Sequence, residues 1–165
     1  MSSYQQIENV LGCKLPSRIT FFDPNGPPYV HSALLINDRT GEIIAYSVNK
    51  CISSTLNDLS VRTTVHAEQE LLYAIDKQMK EKRVPKSRIR GQKTLVSLRF
   101  NRNGKISQSK VCTSCANMIS NKYKGYINNI IYCDENNVLC NVSIDQMCNI
   151  SKLSSRQLAA KQAKL

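Results

Sequence analysis

The sequence predicts an α/β fold with a five-stranded sheet, and three observations predict it. Stretches 29–36 and 94–100 are apolar and strand-like, the second reading as a central strand. Leu71, Leu72, Ile75 and Met79 recur at helical spacing, which gives the intervening segment a buried helical stripe. Near the end of the chain, only Asp134-Glu135-Asn136-Asn137 separates strand 129–133 from strand 138–144. So short a link permits a hairpin and cannot hold the crossover helix that parallel strands need, so the last two strands should be antiparallel.

The elements follow in order. Residues 2–11 read as a short helix with Ile7, Val10 and Leu11 on one face and Gly12 as its stop. Asp23-Pro24-Asn25-Gly26-Pro27-Pro28 is turn chemistry. Strand 29–36, the turn Asp38-Arg39-Thr40-Gly41 and strand 42–48 make a hairpin that opens the sheet. Residues 51–63 are polar and read as a loop leading to a helix over about 64–82. A basic stretch at 80–93 and a second insertion at 101–105 flank the strand at 94–100; both would hang near the open end of the sheet, where they could hold phosphates, although a charge run is usually a solvated surface. A helix begins at Cys112 and runs to about Lys122, with Met118 and Ile119 inward. Residues 1–150 are read as one domain and 151–165 as a short basic tail, helical or frayed.

Val65-His66-Ala67-Glu68 and Cys112-Thr113-Ser114-Cys115 carry the chemistry. One imidazole and two thiolates supply three ligands to a tetrahedral metal and leave the fourth corner to water, the arrangement of a catalytic zinc site. Zinc lowers the pKa of such a water from about 15.7 towards ~7. Glu68, two residues from His66, can reach that water without being a ligand and can pass its proton to a ring nitrogen and a departing amine. Thiolates at a helix start are stabilised in their charged form. Either half of the pattern alone is weak: a lone Cys-x-x-Cys could be a buried pair or half of a structural site, with Cys51, Cys133, Cys140 or Cys148 as a fourth ligand. His31, set in a strand, reads as a core or rim residue.

The two motifs in this order resemble the zinc-dependent cytidine deaminase superfamily, whose signature is H-x-E followed by P-C-x-x-C. The resemblance covers about residues 28 to 145 and departs at Val111, where the family has proline. It implies a three-layer α/β/α cytidine deaminase-like fold: a mixed five-stranded sheet with helices on both faces. It also implies zinc held by His66, Cys112 and Cys115, with Glu68 as catalytic proton shuttle. Asn49 follows the second strand where the family has an asparagine that bonds the substrate sugar; Lys50 and Cys51 stand where nucleoside enzymes have a glutamate close by. Antiparallel last strands resemble the cytidine deaminase branch and toxin-type deaminases, which implies hydrolytic deamination of a cytosine-type base in a nucleoside, a nucleotide or single-stranded nucleic acid, with release of ammonia. Members of the nucleoside branch commonly form homo-oligomers.

Composition bounds the alternatives. The chain has 165 residues, 41% of them hydrophobic, enough for a globular core. Seven cysteines and no signal-like start point to a reducing, cytoplasmic setting. No apolar run is long enough to span a bilayer, so no membrane is expected. The terminal Ala163-Lys164-Leu165 resembles a peroxisomal address. The formal net charge of +11 attracts polyanions, or else reflects a solvated lysine-rich surface. The competing functional reading is an inactive protein of the same fold that binds nucleic acid or plays a structural role.

Overall fold

The computed structural model describes residues 3–20, 28–56, 59–83 and 93–151, with the side chains of residues 3, 18, 20 and 50–65 outside that description. In chain order the elements are α1 (Ser3–Leu11), α2 (Ser17–Thr20), β1 (Tyr29–Asn37), β2 (Ile43–Val48), β3 (Lys50–Leu56), β4 (Leu59–Val65), α3 (Ala67–Glu81), β5 (Lys93–Asn101), β6 (Ile106–Ser107), α4 (Thr113–Tyr123), β7 (Asn129–Cys133), β8 (Leu139–Ser143) and α5 (Ile144–Ile150).

The main sheet runs β2-β1-β5-β7-β8, with β6 paired to β5 beyond the end of β7. The expected opening hairpin is present: β1 pairs antiparallel with β2, and its other edge pairs antiparallel with β5 over its full length. β5 and β7 are parallel, so the chain must cross over between them, and α4 lies in that crossover. β7 and β8 are antiparallel, as the short link demands. Asp134 makes that link: its carboxylate accepts the backbone N–H groups of Asn136 and Val138.

Both faces of the central strands β1 and β5 are buried, and β1 shows why an unbroken apolar run was needed there. Ala33 and Leu35 face one core with Leu71, Leu72 and Ile75 of α3, Ile119 of α4 and Met147 of α5. Leu34 and Ile36 face a second core with Ile7 of α1, Ile19 of α2 and Phe100. Successive strand residues point to opposite faces, so a strand sandwiched between two cores cannot alternate with polar residues. In α1, Ile7 is buried and Leu11 packs at the edge of the second core, while Val10 is 66% exposed, outside the face expected for it. Gly12, with φ of +70°, ends that helix in the left-handed region.

Three local expectations are corrected. Residues expected to form a polar loop after Cys51 instead form β3 and β4, an antiparallel pair with Lys50 opposite Val65 and Leu56 opposite Leu59. Their Ile, Val and Thr residues favour extended backbone even in a polar stretch. The helix expected from Thr64 begins only at Ala67, because β4 continues through Val65 and His66 is the N-cap. The last strand stops at Ser143, whose side chain and Gln146 form a capping box that starts α5. The insertion at 101–105 is a tight turn into β6, in which the Asn101 carboxamide oxygen accepts from the backbone N–H groups of Asn103 and Lys105. The proline-rich segment 23–27, most of the basic stretch at 80–93, and the tail with Ala163-Lys164-Leu165 lie outside the described residues. No helix among the described residues is long and apolar enough to cross a membrane.

Candidate metal centre

Two helix beginnings meet beside the middle of β5, where Glu68 of α3 reaches Ser97. His66 is the N-cap of α3 and Cys112 the N-cap of α4, both with extended backbone, and neither side chain caps its own helix. Both side chains therefore turn to each other. The His66 Nδ1 atom lies 3.4 Å from the Cys112 sulfur and 3.4 Å from the Cys115 sulfur, and the donor atoms of all three residues fall within 4.8 Å of one another. An imidazole and two thiols so close can share one metal ion. Cys133, Cys140 and Cys148 are not part of this group, and Cys51 belongs to the stretch whose side chains are outside the description.

The electrostatics suit a metal. A hydrogen bond from the Cys115 thiol, together with those of His66 and the helix backbone, outweighs burial and holds the Cys112 thiol down to about 4. Cys115, which supplies that bond from a more buried position, is pushed well up. The hydrogen bond to Cys112 raises His66 against the effect of burial. The lowered thiol, Cys112, lies at the positive end of α4, where negative charge is favoured.

Segment 107–111 delivers Cys112 by a specific device. β5 and β7 pair from Thr94 and Asn129 as far as Val96 and Ile131, and beyond that point Ser109 sits between the two strands. Its hydroxyl donates to the Ser97 carbonyl at 2.6 Å and accepts from the Cys133 N–H at 2.8 Å, while its own N–H donates to the Cys133 carbonyl at 3.0 Å. The Ser97 hydroxyl in turn reaches the Ser109 carbonyl at 2.8 Å. Val111, standing where the resemblance leads one to expect proline, is fully buried in the first core. Packing there fixes the entry to α4 in place of a rigid ring.

Glu68, the second residue of α3, is 1% exposed. Its Oε1 atom lies 3.1 Å from the Ser97 hydroxyl and 3.4 Å from His31 Nε2, and that nitrogen is 2.9 Å from the same hydroxyl. Its Oε2 atom is buried with no hydrogen-bond partner among the described residues. Burial by itself pushes the carboxyl up, but the His31 charge and hydrogen bond, the Glu68 N–H and the Ser97 hydroxyl together outweigh it and hold the group at about 2. A buried carboxylate with one oxygen clamped and the other bare is costly unless something polar meets it.

No protein-family model matches the chain, and no curated protein matches it.

The structure brings His66, Cys112 and Cys115 together, with Glu68 alongside through its contacts to β1 and β5. Asn49 enters through His31: its N–H donates to the His31 carbonyl at 2.8 Å and its Oδ1 accepts the His31 N–H at 3.2 Å. With one lone pair of the carbonyl oxygen so engaged, the Asn49 carboxamide is held in orientation and can offer a ligand its Nδ2 donor. The start of α3 is tied to β2 by the Ser47 hydroxyl, which donates to the Ala67 carbonyl. Sequence reasoning missed His31 and Ser97. His31, 25% exposed, sits at the rim as expected and outside the donor group, but it also touches the Glu68 carboxylate from a strand distant in sequence. The only signal available was its place on the same face of β1 as Ala33 and Leu35.

Proposed function

We propose that this protein is a zinc-dependent hydrolytic deaminase of the three-layer cytidine deaminase-like fold, acting on a cytosine-type base and releasing ammonia. The observation that carries the reading is the buried Glu68 carboxylate, held at Oε1 and unpartnered at Oε2, beside a three-donor group. A structural metal site has no need of a bare carboxylate in the interior; a proton shuttle does. The antiparallel β7–β8 pair and the sheet covered on both faces agree with the same reading.

The donor set fits zinc, since imidazole and thiolate are its preferred ligands and three of them leave one position open. Zinc, when bound, supplies Lewis acidity that brings a water within reach of deprotonation near neutral pH. The chain's own residues do the rest. Oε2 of Glu68 takes one proton from the attacking water and gives it to the ring nitrogen, then takes the second from the hydroxyl now on the ring carbon and gives it to the amine as the C–N bond breaks. With Nε2 protonated, His31 faces both the Ser97 hydroxyl and Oε1; that hydroxyl has a single proton to share between Oε1 and the Ser109 carbonyl. These contacts keep Oε1 from turning and leave Oε2 as the working oxygen. Asn49 donates from Nδ2 to the substrate, with His31 fixing its orientation.

The test is ammonia release by the zinc-loaded protein from bases, nucleosides, nucleotides and single-stranded oligonucleotides. Release from a cytosine-bearing compound is expected. Zinc-loaded protein that releases ammonia from none of them overturns the enzyme and favours a binding protein of the same fold.

A further inference from the structure

We propose that Arg99, braced on Tyr29, binds a phosphate of the substrate, so that the ligand at this site is a nucleotide unit and not a free nucleoside. The inference rests on the reading of the same site given above. It starts from the register of the sheet. Across the β1–β5 ladder Ala33 stands opposite Ser97, His31 opposite Arg99 and Tyr29 opposite Asn101. Directly opposed residues share a face, as do residues two apart along one strand. Tyr29, His31, Ser97 and Arg99 therefore lie on one face, the face that His31 and Ser97 use to hold Glu68.

Along that face the character changes outward. His31 and Ser97 sit at the carboxylate, and Arg99 lies one strand repeat further out, about 7 Å at ~3.4 Å per residue. The Arg99 guanidinium carbon lies 4.1 Å above the centre of the Tyr29 ring. Tyr29 is 40% exposed, so the stacked pair sits at the rim. Among the described residues no carboxylate pairs with Arg99. A solvated surface arginine would be free to turn to water; this one lies over an aromatic ring, beside the site, with no carboxylate among the described residues paired to it. The ring attracts the cation and limits its rotamers without neutralising it. A planar fork with several N–H donors fits phosphate oxygens closely. One strand repeat outward from the residues that hold Glu68 suits a base inserted at Glu68 with its sugar next and its phosphate at the rim.

Phosphate of this kind comes from a mononucleotide or from a nucleic-acid strand, and the experiment separates them. Zinc-loaded protein carrying Glu68→Gln, so that no ligand is consumed, is titrated with cytidine and with cytidine 5′-monophosphate by calorimetry, and with a labelled cytosine-containing single-stranded oligonucleotide by anisotropy. Arg99→Gln is then added. The expected result is a roughly tenfold or greater loss of affinity for a phosphate-bearing ligand, the size of a lost charge-assisted contact, with cytidine changed less than about twofold. Loss for the monophosphate marks a nucleotide as ligand. Loss for the oligonucleotide alone, with the slope of log affinity against log salt shallower by about one, marks a strand. Inorganic phosphate should also compete with the phosphate-bearing ligand in protein with Arg99 intact, a measurement that needs no change at Arg99. Equal losses for cytidine and phosphate-bearing ligands, no loss at all, or no competition by phosphate overturns the proposal. Ammonia release is scored separately with Glu68 intact: phosphate-dependent binding without release removes the deaminase and leaves the phosphate site standing.

Discussion

Replacing Glu68 by glutamine changes a single atom at the centre of the proposed chemistry. The amide keeps an oxygen at the Oε1 position for Ser97 and His31, and puts nitrogen where Oε2 has no partner. The donors His66 Nδ1 and the two sulfurs are untouched, so zinc content should stay at the native level. What disappears is the ability to take up and return a proton. General acid–base catalysis by one group contributes about 10²- to 10⁴-fold, equivalent to roughly 3 to 5 kcal/mol at 1.36 kcal/mol per decade. The rate of ammonia release should fall by at least that factor. In the metal-free protein the same change removes a carboxylate that His31, Ser97 and the backbone hold below its ordinary range, so at neutral pH its thermal midpoint should fall below that of the native chain. Rate and zinc content are measured on one preparation, by coupled assay and atomic absorption. A rate within threefold of native with zinc retained would refute the role of Glu68; loss of zinc would show the carboxylate to be part of the metal's support.

Further predictions follow from the same geometry. Zinc at one hundred times its dissociation constant should stabilise the fold by about 2.7 kcal/mol, or about 5 to 10 °C in Tm for a chain of this size, and His66→Ala should abolish the response; a midpoint indifferent to zinc and chelator in the native protein removes the metal. His31→Ala should keep zinc and lower kcat by about tenfold with little effect on KM, since it frees the Glu68 carboxylate without touching substrate; a change confined to KM contradicts that role. Tyr123→Phe breaks the 2.6 Å bond from the Tyr123 hydroxyl to Asp76 that joins α4 to α3, and should cost about 1 to 2 kcal/mol by urea denaturation; an unchanged midpoint would mean that water replaces the bond fully.

Much of the fold was legible because its signals are local. The unbroken apolar run of β1, the helical stripe of α3 and the four-residue link between β7 and β8 each follow from side-chain periodicity or loop reach. β3 and β4 were misread because polarity suggested a loop while β-branched content favoured strands, and only pairing decides between them. The start of α5 was legible in Ser143 and Gln146, yet the apolar run before it masked the capping box.

The sequence by itself determined the donor types and their place at two helix beginnings, because an N-cap turn and a Cys-x-x-Cys spacing are properties of a few consecutive residues. Only the tertiary structure decided that a strand histidine and a strand serine grip the carboxylate, that Asn49 spends its carbonyl on His31, and that Arg99 stands on the same face. Those relations depend on the register of β1 against β2 and β5. A slip of one residue in β1 would turn Tyr29 and His31 to the face opposite Ser97 and Arg99, and register is set by both cores together, not by any single stretch of chain.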